Sequence, residues 1–440
     1  MRKRLLPLAV VAASAIALTG CSAGASSSEK TTVTVRLWDS AVAKAYKTSF
    51  AAFEKENPDV DVKIDVVPWA DYWTDLRTDV AGMSAPDVFW VNNSYFGAYA
   101  DSGSLLDVGK TLGDDAQQAW SPTVVKQFTR DGKLWAVPQL SDAGIAVYYN
   151  KTLLDAAKIA PKDLDDLTWS PDATKDTFLP IAKRLTKDAA GVTADQPGFD
   201  PATTTQYGTN IAYDLQAILL PYIGSNGGTF QNGDDFAFAE PKTEESISYL
   251  VNAINTAKVA PPAADTTANG DFSRDAFVQG KIAMFQSGLY NLKNISENAK
   301  FDWGVARIPA GPAGAVSVTN GIAAAGNAAT KHPDAVKKVL AWMGSKAGNA
   351  PIGADGAAVP AVKAAQKGYF SYWKREKVDV QPFFDVIAGK AKTIPAPQGA
   401  RFDKGLAAYD PIFASIFAGT TPVPDGLKKA QEAANSALND

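Results

Sequence analysis

Four of the ten tryptophans in this 440-residue chain, Trp38, Trp69, Trp73 and Trp90, fall within the first hundred residues. Trp38 is followed by Asp39 and stands at the end of the alternating run TVTVRL. Trp69 follows VDVKIDVV, and Trp90 closes a third apolar run with Asn92, Asn93, Ser94 and Tyr95 directly after it. A flat ring suits the C–H face of a pyranose, and short amides and carboxylates beside it can fix the hydroxyls. Trp73 sits inside a helical pattern and reads as core. Catalytic patterns are missing: there is no G-x-G-x-x-G, no nucleophile elbow G-x-S-x-G and no calcium loop, and Gly280-Lys281 lacks the upstream glycine of a phosphate loop. One histidine (His332, at a helix start) and one cysteine (Cys21) leave little for a metal site or a Cys–His nucleophile. The acidic doublets Asp114-Asp115, Asp165-Asp166 and Asp234-Asp235 lie in loop-like stretches, where adjacent side chains point apart. A glycan hydrolase needs two carboxylates flanking one bond, and it stands as an alternative reading only. The expectation is a binding protein with no enzyme activity, no cofactor and no metal.

The elements that must position these residues are legible in the hydrophobic pattern. Residues 32–37 alternate and are β-branched, as a strand is. Residues 44–56 place Tyr46, Phe50 and Phe53 on one helical face, and Asn57-Pro58 stops the helix. Residues 60–67 alternate again, Asp71 reads as the cap of a second helix, and residues 87–91 form a third strand. This β-α-β-α-β order implies an α/β fold with a parallel sheet, in which ligands bind beyond the carboxyl ends of the strands. Further strands are expected at 134–137, 145–149, 282–285 and 303–308, and helices at 152–159, 176–187, 243–258 and 334–343. The polar stretches 189–205 and 261–271 read as surface loops, and Gly227-Gly228 reads as turn geometry.

The composition, 46% hydrophobic and 20% charged, is that of a globular chain, and 440 residues suggest two or three domains. The formal charge of −4 offers no basic surplus for tracking a nucleic-acid backbone. Arg2-Lys3-Arg4 precedes an apolar run of fourteen residues (5–18), short of the ~20 that a membrane-spanning helix needs but suited to a secretory signal. The run ends in Leu18-Thr19-Gly20-Cys21, which resembles the bacterial lipobox. Residues 1–20 are then a signal peptide, Cys21 becomes the lipidated N-terminus, and residues 21–30 form a flexible tether.

Several strings, in order, resemble the extracytoplasmic sugar-binding proteins of ABC importers, the solute-binding group that includes maltose-binding protein. They are FAAFEKENPDVDV, PDVFWVNNSYFGAYADSGSLL, GKLWAVPQLSDAGIAVYYNKTLL, GKIAMFQSGLY and WGVARIP. The resemblance implies two α/β lobes joined by a multi-strand hinge, 31–140 plus 305–345 and 141–304 plus 346–440. A di- or oligosaccharide would be held between them and delivered to the permease subunits of the importer. The expected protein is a monomer outside the cytoplasmic membrane, anchored through its N-terminal lipid.

Carried over position by position, the family's pattern puts a polar sugar contact at Asp39 and the third strand's aromatic and polar contacts at Trp90 and Asn93. It puts Gln139 in the first crossing, and Ser287 with Tyr290 in the turn after the Ala-Met strand, where Tyr290 replaces the more usual tryptophan. Asn320-Gly321 follow the second crossing, and Arg401-Phe402 stand in a late loop. With Trp69 and Asn92 these form the expected site: Asp39, Asn92, Asn93, Gln139 and Arg401 bond hydroxyls, while Trp69, Trp90, Tyr290 and Phe402 stack on rings. A second reading keeps the fold but takes a non-sugar solute such as ferric ion, through Tyr148-Tyr149.

Overall fold

The computed structural model describes residues 30–141 and 144–439. The signal segment, Cys21 and nearly all of the tether lie outside the described residues.

Two five-stranded sheets carry the architecture. The strands that build them, and the connection between them, are β1 (Thr31–Leu37), β2 (Val60–Val66), β3 (Val88–Asn92), β4 (Val137–Leu140), β5 (Ile145–Asn150), β6 (Lys187–Asp188), β7 (Thr204–Thr209), β8 (Ile282–Gly288), β9 (Trp303–Ala306), β10 (Val316–Thr319), β11 (Ile322–Gly326) and β12 (Lys392–Pro395). The first sheet has the order β2-β1-β3-β11-β4 and the second β9-β5-β8-β7-β6. β1 pairs parallel with β2 and β3, joined by helices α1 (Ser40–Glu56) and α2 (Trp69–Ala81). β11 enters antiparallel between β3 and β4. Its sequence, IAAAG, carries no β-branched alternation beyond Ile322, so its strand character comes from the slot between two partners rather than from propensity.

Burial follows the pleat. Every residue of β3 is buried, as in a sheet covered on both faces. In β5, Ile145 and Val147 face one core while Ala146 and Tyr148 face another. Helix α1 lays Tyr46, Phe50 and Phe53 into the first core, as the spacing required. Its cap is Asp39, whose carboxylate accepts from Ala41 N (2.8 Å) and Val42 N (3.0 Å). Helix α2 begins earlier than its sequence suggested: Pro68 occupies the cap position, Trp69 is already helical and Asp71 lies in the first turn. The stretch 261–271, expected as loop, holds the short helix Ala263–Ala268.

The two sheets are joined by several crossings. β10 pairs parallel with β12, and Ser317 Oγ in β10 accepts the Ile145 N–H at 2.7 Å, tying the first crossing to the second. Two boundaries fall elsewhere than the resemblance suggested. β9 belongs to the second sheet, because Val305 lies opposite Tyr148. Residues after 345 return to the first core, where Ile352, Ala361 and Val362 are buried and Ser49 Oγ of α1 donates to Gly348 O at 2.7 Å. Among the described residues no helix is long and apolar enough to cross a membrane.

Candidate functional site

The carboxyl ends of β1, β2 and β3 and the entry to β11 share one edge of the first sheet. Asp39, Trp69, Asn93 and Asn320-Gly321 therefore stand along that edge. Asn93 N donates to Asn320 Oδ1 at 3.2 Å, and Asn320 Nδ2 donates to Gln216 Oε1 at 3.4 Å. Gln216 lies just beyond β7 of the second sheet, so this chain of amides crosses from one sheet's edge to the other's. Gly321 N donates to Gln127 Oε1 at 2.9 Å, and a Cβ at Gly321 would collide with that amide. Asn92 Oδ1 accepts from Ser94 N and Tyr95 N (3.1 and 3.2 Å), which folds the turn after β3. Asn93 Oδ1 is buried and has no hydrogen-bond partner among the described residues.

The facing edge of the second sheet supplies Ser287 and Tyr290. Ser287 Oγ accepts from Asn291 Nδ2 at 2.9 Å, and Tyr290 is 44% exposed. Asp214 repeats the role of Asp39: each carboxylate follows a strand and caps the next helical segment, Asp214 through Ala217 N at 2.8 Å. Burial pushes both carboxyl groups above the ordinary range, and their N–H partners pull part of that back.

The aromatic expectations divide. Trp69 is 49% exposed, with its ring edge-on to Trp38 at 5.3 Å and to Trp73 at 5.5 Å. Trp90 departs from its expected stacking role. Its ring is 0% exposed, packed edge-on against Trp38 and Tyr46, and a ring with no accessible face can stack on no ligand. Gln139, also 0% exposed, is corrected for a similar reason: it accepts the Tyr46 hydroxyl proton and donates to Val137 O and Pro138 O, so its amide serves the core. Arg401 donates to Leu438 O at the C-terminal helix. Phe402 is buried edge-on to Tyr95 at 5.4 Å, where the second core meets the turn after β3.

Sequence reasoning passed over two residues at this junction, Arg77 and Asp403, and the core reading of Trp73 holds, since it is buried in the first core. Trp73 stacks on Tyr95, and Arg77 of α2 forms an ion pair with Asp403 at 2.8 Å, joining a first-core helix to the helix Phe402–Phe417. The spacing of Trp73 and Arg77 by four on one helix was the available signal. A cavity of about 370 Å³ opens beside them. Of the ferric alternative, Tyr148 is fully buried with its hydroxyl donating to Gly288 O at 2.8 Å, so it is held inside the second lobe.

Comparison with known proteins agrees with this architecture. Residues 38–350 match the family described as bacterial extracellular solute-binding protein. The chain is 54% identical to UspC of M. tuberculosis, a crystal structure superposing with a TM-score of 0.72 over 92% of this chain and 100% of that one. It is 28% identical to the maltodextrin-binding protein MdxE of Bacillus subtilis over 98% of this chain and 95% of the relative. An ABC substrate-binding protein of Listeria monocytogenes in complex with cycloalternan, 22% identical, has the same fold with a TM-score of 0.79 over 93% of this chain and 100% of that one. The two-lobed α/β architecture is what the matched structures have in common with this chain, and the chain belongs to the bacterial extracellular solute-binding proteins.

Proposed function

We propose that the protein is the solute-capturing component of an ABC carbohydrate importer, taking a di- or oligosaccharide between its two lobes and presenting it to the permease without catalysis. The observation that carries this reading is the amide chain Asn93–Asn320–Gln216, which links the two sheet edges while Asn93 Oδ1 has no partner among the described residues. A buried carbonyl oxygen in that state costs ~1–3 kcal/mol, which a sugar hydroxyl would recover. Trp69 and Tyr290 bring partly exposed rings to either side, and Asp39 brings a carboxylate. The relative whose name states maltodextrin binding is aligned along nearly the whole chain, which supports the sugar class.

Lobe closure on ligand is a hinge motion of the kind seen in binding proteins, and here it would turn on the β10–β12 ribbon and the Ser317–Ile145 bond. Ligand drives closure only by contacting the closed form better than the open one. Anchoring through a lipid on Cys21 would keep the monomer at the outer face of the cytoplasmic membrane. Cys21→Ser should release it into the medium, and retention of that variant would sink the anchor.

The direct test is a thermal-shift screen with mono-, di- and trisaccharides, and with amino acids and ferric salt as controls. A ligand at 100 times its dissociation constant adds about 2.7 kcal/mol. A shift confined to one saccharide family, with the sugar recovered intact, supports the reading. Recovery of cleaved sugar would favour a hydrolase, and a shift from ferric salt alone would favour a metal cargo.

A further inference from the structure

The helix Gln366–Arg375 has two unlike sides. One carries Tyr369 and Trp373, which are buried in the core that also takes Tyr148 and Phe285 of the second sheet. The other carries Lys367, Phe370 and Lys374, spaced by three and four and all exposed. Lys363 lies one turn before this stripe, and Arg375 and Lys377 stand at its end, all three exposed. Phe370, 37% exposed among these cations, meets the ring of Phe384 at 5.2 Å. The segment that continues from Phe384 exposes Ile387 at 69% and also exposes Lys390.

Charge gathers on this face against the trend of the chain. Residues 363–392 hold seven basic and three acidic side chains, while the whole protein carries −4. Of the three acids, Asp385 is buried and paired with Arg307 at 3.1 Å, which leaves Glu376 and Asp379 at the surface. Among the described residues, Lys363, Lys367, Lys374 and Lys377 have no carboxylate within ion-pair distance. Apolar side chains exposed singly need no partner, but Phe370 and Ile387 stand among these cations. Lysine is a compact point charge that meets phosphates without fixed geometry, whereas a discrete carboxylate or phosphate is better gripped by the arginine fork. A lysine-rich face with apolar side chains between its cations matches an anionic lipid surface. The ammonium groups reach the headgroup phosphates, the lysine stems lie along the acyl boundary, and the apolar side chains enter it.

We propose that this face, Lys363 to Lys377 with Phe370 and Ile387, docks the protein on the surface of an anionic lipid bilayer. The inference does not depend on the carbohydrate reading. The helix covers a face of the second sheet, whereas the candidate sugar site lies at the strand ends, so the docked protein keeps its crevice free for solute. A lipid on Cys21 would hold the chain near the membrane, and this face sets which side turns toward it.

The test is vesicle co-sedimentation of the chain beginning at Ser22, which carries no lipid of its own. The vesicles are phosphatidylcholine alone and an equal mixture of phosphatidylcholine and phosphatidylglycerol, each at low and high salt. Binding should be confined to the mixed vesicles and weaken as salt rises. Lys367→Gln and Lys374→Gln should each lower it about fivefold, the loss expected for one cation at a charged surface. Phe370→Ser should lower it severalfold at both salt concentrations. Lys44→Gln and Lys47→Gln, exposed on α1 of the first lobe, change the net charge equally and should leave binding as it is. Unchanged melting temperatures check that the variants fold. No binding to mixed vesicles, equal binding to neutral ones, equal losses in the α1 variants, or a Phe370→Ser protein that binds like the parent overturns the proposal. Binding to polyglutamate in solution with none to vesicles also overturns it, and makes this face a contact for an acidic polypeptide.

Discussion

Trp73 and Tyr95 stack face to face, with ring centroids 3.9 Å apart and planes within 9° of parallel. One ring comes from helix α2 and the other from the turn after β3, so the stack fixes that turn against the helix. Phe402, from the last part of the second core, meets Tyr95 edge-on. The three rings therefore form a continuous apolar path from one lobe to the other beside the proposed sugar site. Burial pushes the Tyr95 phenol up to about 12, with Asp403 adding to the rise, so it stays a neutral donor across the physiological range.

Two tryptophans that look alike in sequence should behave oppositely. Trp90→Ala empties a fully buried site and should cost ~3–5 kcal/mol of stability. Trp69→Ala removes a half-exposed ring and should cost far less stability, while saccharide affinity falls by ~1–3 kcal/mol. Urea unfolding and calorimetry on both variants separate the roles. A stable Trp90→Ala protein with weakened sugar binding would reverse the assignment.

Gln139 is expected to matter for folding alone. Gln139→Ala leaves the buried Tyr46 hydroxyl without its acceptor and opens a gap between β4 and α1, a loss of ~1–3 kcal/mol from the hydroxyl alone. Sugar affinity measured well below the melting temperature should match the parent. A selective loss of affinity would place Gln139 back in the site.

Asn320 should couple stability to binding. In Asn320→Ala the buried Asn93 N–H loses its acceptor and the amide link to Gln216 is broken. A loss of ~1–3 kcal/mol in unfolding free energy is expected, together with weaker saccharide binding. Parent-like values in both measurements would remove this amide chain from the account.

The two capping carboxylates give the protein a definite pH signature. Burial raises Asp39 and Asp214 above the ordinary 3.8. Between 3.8 and its folded-state pKa, each group keeps its proton in the folded chain and has lost it in the unfolded one. The unfolded state then binds fewer protons, so this contribution to stability is full below 3.8, falls as pH rises through the window and stays low above it. Asp214→Asn keeps a capping oxygen without the charge. Its melting temperature should exceed the parent's at pH 7 and match it near pH 3. A lower value at pH 7 would show that the carboxylate charge stabilises the cap.

Much of this protein is legible along the chain. The alternation in residues 32–37 and 60–67, the Tyr46–Phe50–Phe53 stripe and the Asn57-Pro58 stop specify β1, α1 and β2, because these signals act over a few residues. The parallel order, and with it the sheet edge at which open α/β folds generally take ligands, follows from the same local patterns. Asp39 at a strand-to-helix turn could be read in the same way, since a cap is a local bond.

What the tertiary structure alone decided is which side of each residue meets solvent. Trp69 and Trp90 both end an apolar run, yet one ring is half exposed and the other enclosed, because Trp90 lies in a central strand covered on both faces. β11 has no strand signal of its own beyond Ile322 and takes its place only because β3 and β4 leave a slot between them. The pairing of Arg77 with Asp403 spans 326 residues of chain. No spacing rule reaches that far, and the contact exists only because the chain crosses between its two sheets and brings a late helix back against an early one.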